Sequence, residues 1–126
     1  METPRVNINL NNIEKNARKM HSDCKGNNIK LTGVVKGSAG DLNVAEAFVN
    51  GGINSIGDSR IENIIKMREA GFENEMVLLR LPQLGNIEKI VKYVDVSLIS
   101  ELKTIKALTR EAKKQNKNHG IIIMVD

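Results

Sequence analysis

A chain of 126 residues suits one domain or part of a larger one; at 40% hydrophobic but with one Tyr, two Phe and no Trp, its core must be built of Ile, Leu, Val, Met and Ala. The net charge of +4 permits an acidic partner, but Lys and Arg are interspersed with Asp and Glu and no basic run exceeds two residues, as at Lys113-Lys114, which argues against nucleic-acid binding. No apolar run nears the roughly 18 residues of a membrane span and the N-terminus lacks an apolar signal segment, so a soluble, cytoplasmic protein is expected.

Val6-Asn7-Ile8-Asn9-Leu10 alternates as a half-buried strand does, and Asn11 or Asn12 can cap a helix over Ile13 to Ser22 with Ile13, Ala17 and Met20 on one side. Cys24, just past that helix, has no disulfide partner in the chain; it reads as a small buried or half-buried residue in a reducing compartment. After a turn at Gly26-Asn27-Asn28, Leu31 to Val35 is a strand, Leu42 to Val49 a helix ended by Gly51-Gly52, and Asn54 to Gly57 a short strand. Asp58 or Ser59 is placed to cap a helix from Ile61 to Ala70. Met76 to Leu81 is a strand stopped by Pro82, which lacks the amide a ladder needs; Ile87 to Tyr93 is a helix and Val94 to Ile99 a strand. Ser100 can cap a helix from Glu101 to Gln115 with Leu102, Ile105, Leu108 and Ala112 inward, and Ile121 to Asp126 is a final buried strand.

Apolar strands alternating with amphipathic helices indicate an α/β chain with a parallel sheet covered by helices. Right-handed crossovers leave two architectures open, a doubly wound open sheet or a (β/α)₈ barrel. In both, chemistry gathers at the C-terminal ends of the strands.

Lys36 stands at such an end, followed by Gly37, Ser38, Ala39 and Gly40, which leave room for a ligand. On position alone a surface lysine is the commoner reading; a desolvated lysine, by contrast, has a lowered pKa and can form a Schiff base with an aldehyde. The segment lacks the order of a Walker loop and of a dinucleotide fingerprint. Gly57-Asp58-Ser59-Arg60 ends the next strand as a helix cap, with or without ligand contact. Arg80, near the end of the third strand, can pair with a helix Glu or steer an acidic ligand. Asp126 ends the last strand, and His21 and His119 match neither a metal-ligand spacing nor a Ser-His-Asp order.

Taken together, Pro4-Arg5-Val6-Asn7-Ile8-Asn9-Leu10 with Ile13 and Asn16, Val34-Val35-Lys36, Gly57-Asp58-Ser59-Arg60, Leu78-Leu79-Arg80-Leu81-Pro82 and Ile121-Ile122-Ile123-Met124-Val125-Asp126 resemble, in order and spacing, the N-terminal part of the alanine racemase family, nearest its alanine/ornithine-type amino-acid racemases. The resemblance implies a partial (β/α)₈ barrel, with residues 1–126 as the N-terminal portion of a domain binding pyridoxal 5′-phosphate. It implies that Lys36 carries the cofactor as an internal aldimine and, once freed, serves as an acid/base in interconverting L- and D-amino acids. Ser59 and Arg80 are the further residues expected to contact the cofactor.

Bacterial alanine racemases carry a tyrosine four residues after the lysine, against the cofactor phosphate; Gly40 stands there and points to the ornithine-like branch or a broader specificity. The family's main phosphate loops and opposite-face acid/base would follow Asp126. The chain is therefore expected to be an N-terminal piece, inactive alone and self-associating through its open edges. The alternatives are a pyridoxal-phosphate carrier without turnover and a complete five-stranded, flavodoxin-like binding module.

Overall fold

Helices and strands alternate along the chain in the computed structural model, which describes residues 3–125. The elements are α1 (Leu10–Gly26), β1 (Thr32–Val34), α2 (Leu42–Asn50), β2 (Ser55–Asp58), α3 (Ile61–Glu69), β3 (Glu75–Leu78), α4 (Ile87–Tyr93), β4 (Val96–Ile99), α5 (Leu102–Lys114) and β5 (Gly120–Ile123), with 3₁₀ turns at Lys36–Ser38 and Leu84–Asn86. Asp41 starts α2 by accepting the Asn43 and Val44 amides at 2.9 and 3.1 Å, the bonds an N-cap carboxylate is suited to make. None of the described helices is long and apolar enough to cross a membrane.

All neighbouring strands are parallel, and their order is β1-β2-β3-β4-β5. A doubly wound sheet must reverse its direction of growth at a switch point, and this one never does. Right-handed crossovers in a sheet that grows in one direction put every connecting helix on the same face, as in a (β/α)₈ barrel. The strand order thus decides between the two architectures and removes the flavodoxin-like module.

The core lies between the sheet and these helices. Ile56, Met76 and Ile99 from the strands meet Ile64, Met67 and Ile90 from α3 and α4, all essentially without solvent exposure. Burying an Ile or Met contributes about 1.5–3 kcal/mol, so this cluster is the main source of stability. Alternate residues point to the opposite face. There Thr32, Ser55 and Glu75 lie side by side in register and form a polar chain: Thr32 Oγ1 to Ser55 Oγ is 2.9 Å, and Ser55 Oγ donates to Glu75 Oε1 at 3.0 Å. The Lys30 ammonium donates to the same carboxylate at 2.7 Å. That hydrogen bond is the main reason the Glu75 carboxyl titrates below its ordinary range, reinforced by Ser55 and opposed by partial burial.

Several expected features differ. Val6 to Leu10 forms no strand: residues 3–9 are exposed and irregular, Asn9 caps α1 by accepting the Asn12 amide at 3.0 Å, and Leu10 is already helical. Alternation alone does not make a strand without a ladder partner. Met20 is exposed, and Cys24 lies within the last turn of α1, half-buried. Neither Asp58 nor Ser59 is the N-cap of α3, and Ser100 does not cap α5; Arg60 and Glu101 occupy those positions without a side-chain cap bond. Because α5 begins at Leu102, its buried face carries Thr104, Leu108 and Ala112 while Leu102 is exposed. The expected burial of the final strand is also absent. Every residue of β5 is exposed, because β4 flanks it on one side and no helix follows it among the described residues. Asp126 lies outside the described residues.

Candidate active site

The parallel strands deliver their following residues to one rim. Lys36 follows β1, Ser59 follows β2, Arg80 lies beyond β3 and Ser100 beyond β4. Val35 is buried and its amide donates to the Gly57 carbonyl at 3.0 Å, which carries the β1–β2 ladder up to the residue before Lys36. The chain then turns back on itself. The Val35 carbonyl accepts the Ser38 amide at 3.1 Å, the Gly40 amide at 3.1 Å and the Ser38 hydroxyl at 3.0 Å. Ala39 and Gly40 both adopt left-handed backbone, at φ 54° and 66°, which glycine tolerates at no steric cost.

Lys36 is exposed at this turn, and among the described residues its ammonium has no ion-pair partner. Ser59, half-buried, and Arg80, exposed, line one cleft of about 110 Å³ together with Arg60, Glu62, Gln83 and Asn86. Lys36 is not among the residues lining that cleft, so the three expected site residues share a rim but not a single pocket. Arg80 makes no ion pair with Glu62 or any other described carboxylate. A neighbouring cleft of about 390 Å³ lies between the β3 and β4 ends, lined by Pro82, Gln83, Ile99, Ser100 and Glu101.

Two clusters carry little signal at the sequence level. Asp58, which has no solvent exposure, accepts the Arg60 amide at Oδ1 (2.8 Å) and the Asn63 side-chain amide at Oδ2 (3.1 Å). Only the Asx-like spacing of Asp58 and Arg60 hints at it. The second is Ser97 with His119. Ser97 Oγ lies 2.9 Å from His119 Nε2, and His119 Nδ1 lies 3.2 Å from the Val94 carbonyl. A carbonyl only accepts, so the neutral ring carries its proton on Nδ1 and takes the Ser97 hydroxyl proton bond at Nε2. Burial pushes the His119 pKa down, against smaller opposing effects from the Val94 carbonyl and Asp95. This pair is not a catalytic dyad facing the rim: Ser97 is fully buried and His119 sits on the segment entering β5, at the opposite end of the sheet. His21, in the α1 turns that lead towards β1, lines a cleft with Asn54 and Ser55 at that same far end.

Residues 8–126 match the alanine racemase N-terminal domain family. The chain is 36% identical to the lysine racemase of Thermotoga maritima over its whole length, covering 36% of that protein. It is likewise 36% identical to the ornithine racemase of Acetoanaerobium sticklandii, with 98% of this chain and 34% of that protein aligned. The chain thus spans about a third of the length of these curated relatives. Its fold superimposes on the crystal structure of D-threonine aldolase from Filomicrobium marinum with a TM-score of 0.82 at 15% identity, covering 99% of this chain and 35% of that one, a likeness of fold alone.

Proposed function

The chain belongs to the alanine racemase N-terminal domain family, and from that membership we propose that residues 1–126 form the N-terminal portion of a pyridoxal-phosphate-dependent amino-acid racemase barrel acting on a basic amino acid. The observation that carries this reading is Lys36: a primary amine at the C-terminal end of the first strand, solvent-accessible and without an ion-pair partner among the described residues. An aldehyde-bearing cofactor requires an amine that no carboxylate has already engaged, so the donor set fits pyridoxal phosphate. The Arg80 guanidinium and the Ser59 hydroxyl, in one cleft on the same rim, are suited to an anionic group such as a phosphate or a substrate carboxylate. The basic-substrate class is supported by the lysine and ornithine racemases named above.

In this reading Lys36 holds the cofactor and, once the substrate has taken its place, moves a proton at the substrate Cα. When bound, pyridoxal phosphate supplies the electron-withdrawing ring that makes that Cα proton removable. Arg80 orients the anionic part of cofactor or substrate, and Ser59 adds a hydroxyl bond beside it. Inversion needs a second proton-transfer group on the opposite face of Cα. Neither histidine, both at the far end of the sheet, is placed to supply it, and in this reading the isolated chain should turn over no amino acid. The open β5 edge, with Ile122 and Ile123 exposed, should make it self-associate.

The test is reduction of the chain with borohydride in the presence of pyridoxal phosphate, followed by peptide mapping. Lys36 should carry the label and Lys36→Ala should not, at unchanged stability because the side chain is exposed. Labelling spread evenly over the surface lysines would refute the assignment. For a protein that contains the remaining barrel, Cα–H exchange of lysine or ornithine in deuterated water distinguishes turnover from simple cofactor carriage.

A further inference from the structure

Asp58 is unusual for a carboxyl group: it has no solvent exposure and no ion pair among the described residues. Burying such a group is costly unless its oxygens are engaged, and here the two donors come from the turn and helix that follow it, Arg60 N–H and the Asn63 side-chain amide. The second bond has a consequence beyond satisfying Asp58. It fixes the Asn63 side chain, which also packs against the turn after Lys36. At Gly40 that contact is so close that an added Cβ would lie 2.6 Å from Asn63 Cγ, 2.7 Å from its Cβ and 3.0 Å from Nδ2. Gly40 is also the residue whose amide closes the Lys36 turn onto Val35. A chain of direct contacts therefore runs from the buried end of β2, through α3, to the segment that carries Lys36.

We propose that Asp58 and Asn63 are positioning residues for Lys36: Asp58 holds the Asn63 side chain against Gly40, and this sets where the Lys36 turn sits above the ends of β1 and β2. The functional side of this inference rests on Lys36 being the cofactor lysine; the bracing itself does not. Without the brace the turn's hydrogen bonds to Val35 open more often, it loses its register against α3, and the Lys36 amine samples a wider volume. Preorganisation of the reacting amine is then lost although the residue itself is untouched.

Two variants of the chain separate the parts. Asn63→Ala removes the amide donor at a half-buried helical position where alanine folds well. Asn63→Asp keeps the volume but sets an oxygen against Asp58. Hydrogen–deuterium exchange of residues 36–41 should accelerate at least about tenfold in Asn63→Ala, the weight of roughly one hydrogen bond, and more in Asn63→Asp, where a second carboxylate faces Asp58, in each case by more than α4 does. The pyridoxal phosphate concentration giving half-maximal borohydride trapping on Lys36 should rise by a similar factor of about ten. Unchanged exchange over 36–41 overturns the bracing, as does equal acceleration in α4, which would mean general destabilisation. Trapping equal to that of the parent overturns the positioning role while leaving the cofactor lysine intact. A parent chain that does not label at Lys36 instead refutes the cofactor reading, and exchange alone then decides the brace.

Discussion

Replacing Gly40 by alanine tests the geometry beneath Lys36 most directly. Two costs combine there. The residue lies at φ +66°, where a Cβ is strained by about 1–2 kcal/mol. The added Cβ also collides with Asn63, and rotating that side chain relieves the contacts to Cγ and Nδ2 but not the one at 2.7 Å to its Cβ, which the helix backbone fixes. Either the turn or α3 must therefore move, an overpacking cost of about 1–3 kcal/mol. The expected total is about 2–5 kcal/mol, or roughly 1–2.5 M in urea midpoint at a slope of about 2 kcal/mol/M. Two other glycines divide the sum. Gly71, at φ +91° with nothing near its Cβ position, reports the backbone strain alone, and Gly37, with open space and no positive φ, should change stability by no more than about 0.5 kcal/mol as alanine. Urea unfolding followed by circular dichroism should rank Gly40→Ala as most costly, then Gly71→Ala, then Gly37→Ala. Asn63→Gly removes all three close contacts but also the bond to Asp58, so its own cost is subtracted: measured in the Asn63→Gly background, Gly40→Ala should cost no more than Gly71→Ala. If Gly40→Ala costs no more than Gly71→Ala in the parent chain, or costs as much in the Asn63→Gly background as in the parent, the packing argument is wrong.

Burial holds the His119 pKa below the ordinary imidazole value of about 6.5, so as pH falls the unfolded chain takes up its proton first. Stability should be at its full value above about pH 6.5 and decline below it until the folded ring is protonated, and His119→Asn should flatten that slope in pH-dependent urea midpoints. Ile64→Ala, deep between α3 and the sheet, should lose about 2–5 kcal/mol by the same assay, whereas exposed Leu102→Ala should lose under about 0.5. Self-association of the chain in sedimentation should weaken with Ile122→Lys, which places a charge on the exposed β5 edge; an unchanged profile would locate the contact elsewhere.

Much of the fold was legible along the chain because its signals are local. Apolar runs, helical spacing and glycine turns depend on residues a few positions apart, and they anticipated α2, α3, α4, β2 and β4 closely and put Lys36, Ser59 and Arg80 at strand ends. The misreadings came where a local pattern had to compete with surroundings. Val6 to Leu10 alternates but has no ladder partner, and Ile121 to Ile123 is apolar but lies at a sheet edge among the described residues. Resemblance in the ordered motifs had already pointed to the family that residues 8–126 match.

Tertiary structure alone decided the rest, because it depends on which distant segments meet. Strand order excluded the doubly wound sheet, a distinction that identical strand and helix patterns cannot encode. The rim turned out to divide, with Ser59 and Arg80 in one cleft and Lys36 exposed outside its lining. Gly40, read from the sequence as a small residue leaving room for a ligand and as a missing tyrosine, became the point where α3 presses on the Lys36 turn through Asn63. Asp58, read as a helix cap, became the buried group that holds Asn63 in place. A side chain's neighbours across the sheet are set by packing of the whole layer, and no spacing along the chain reports them.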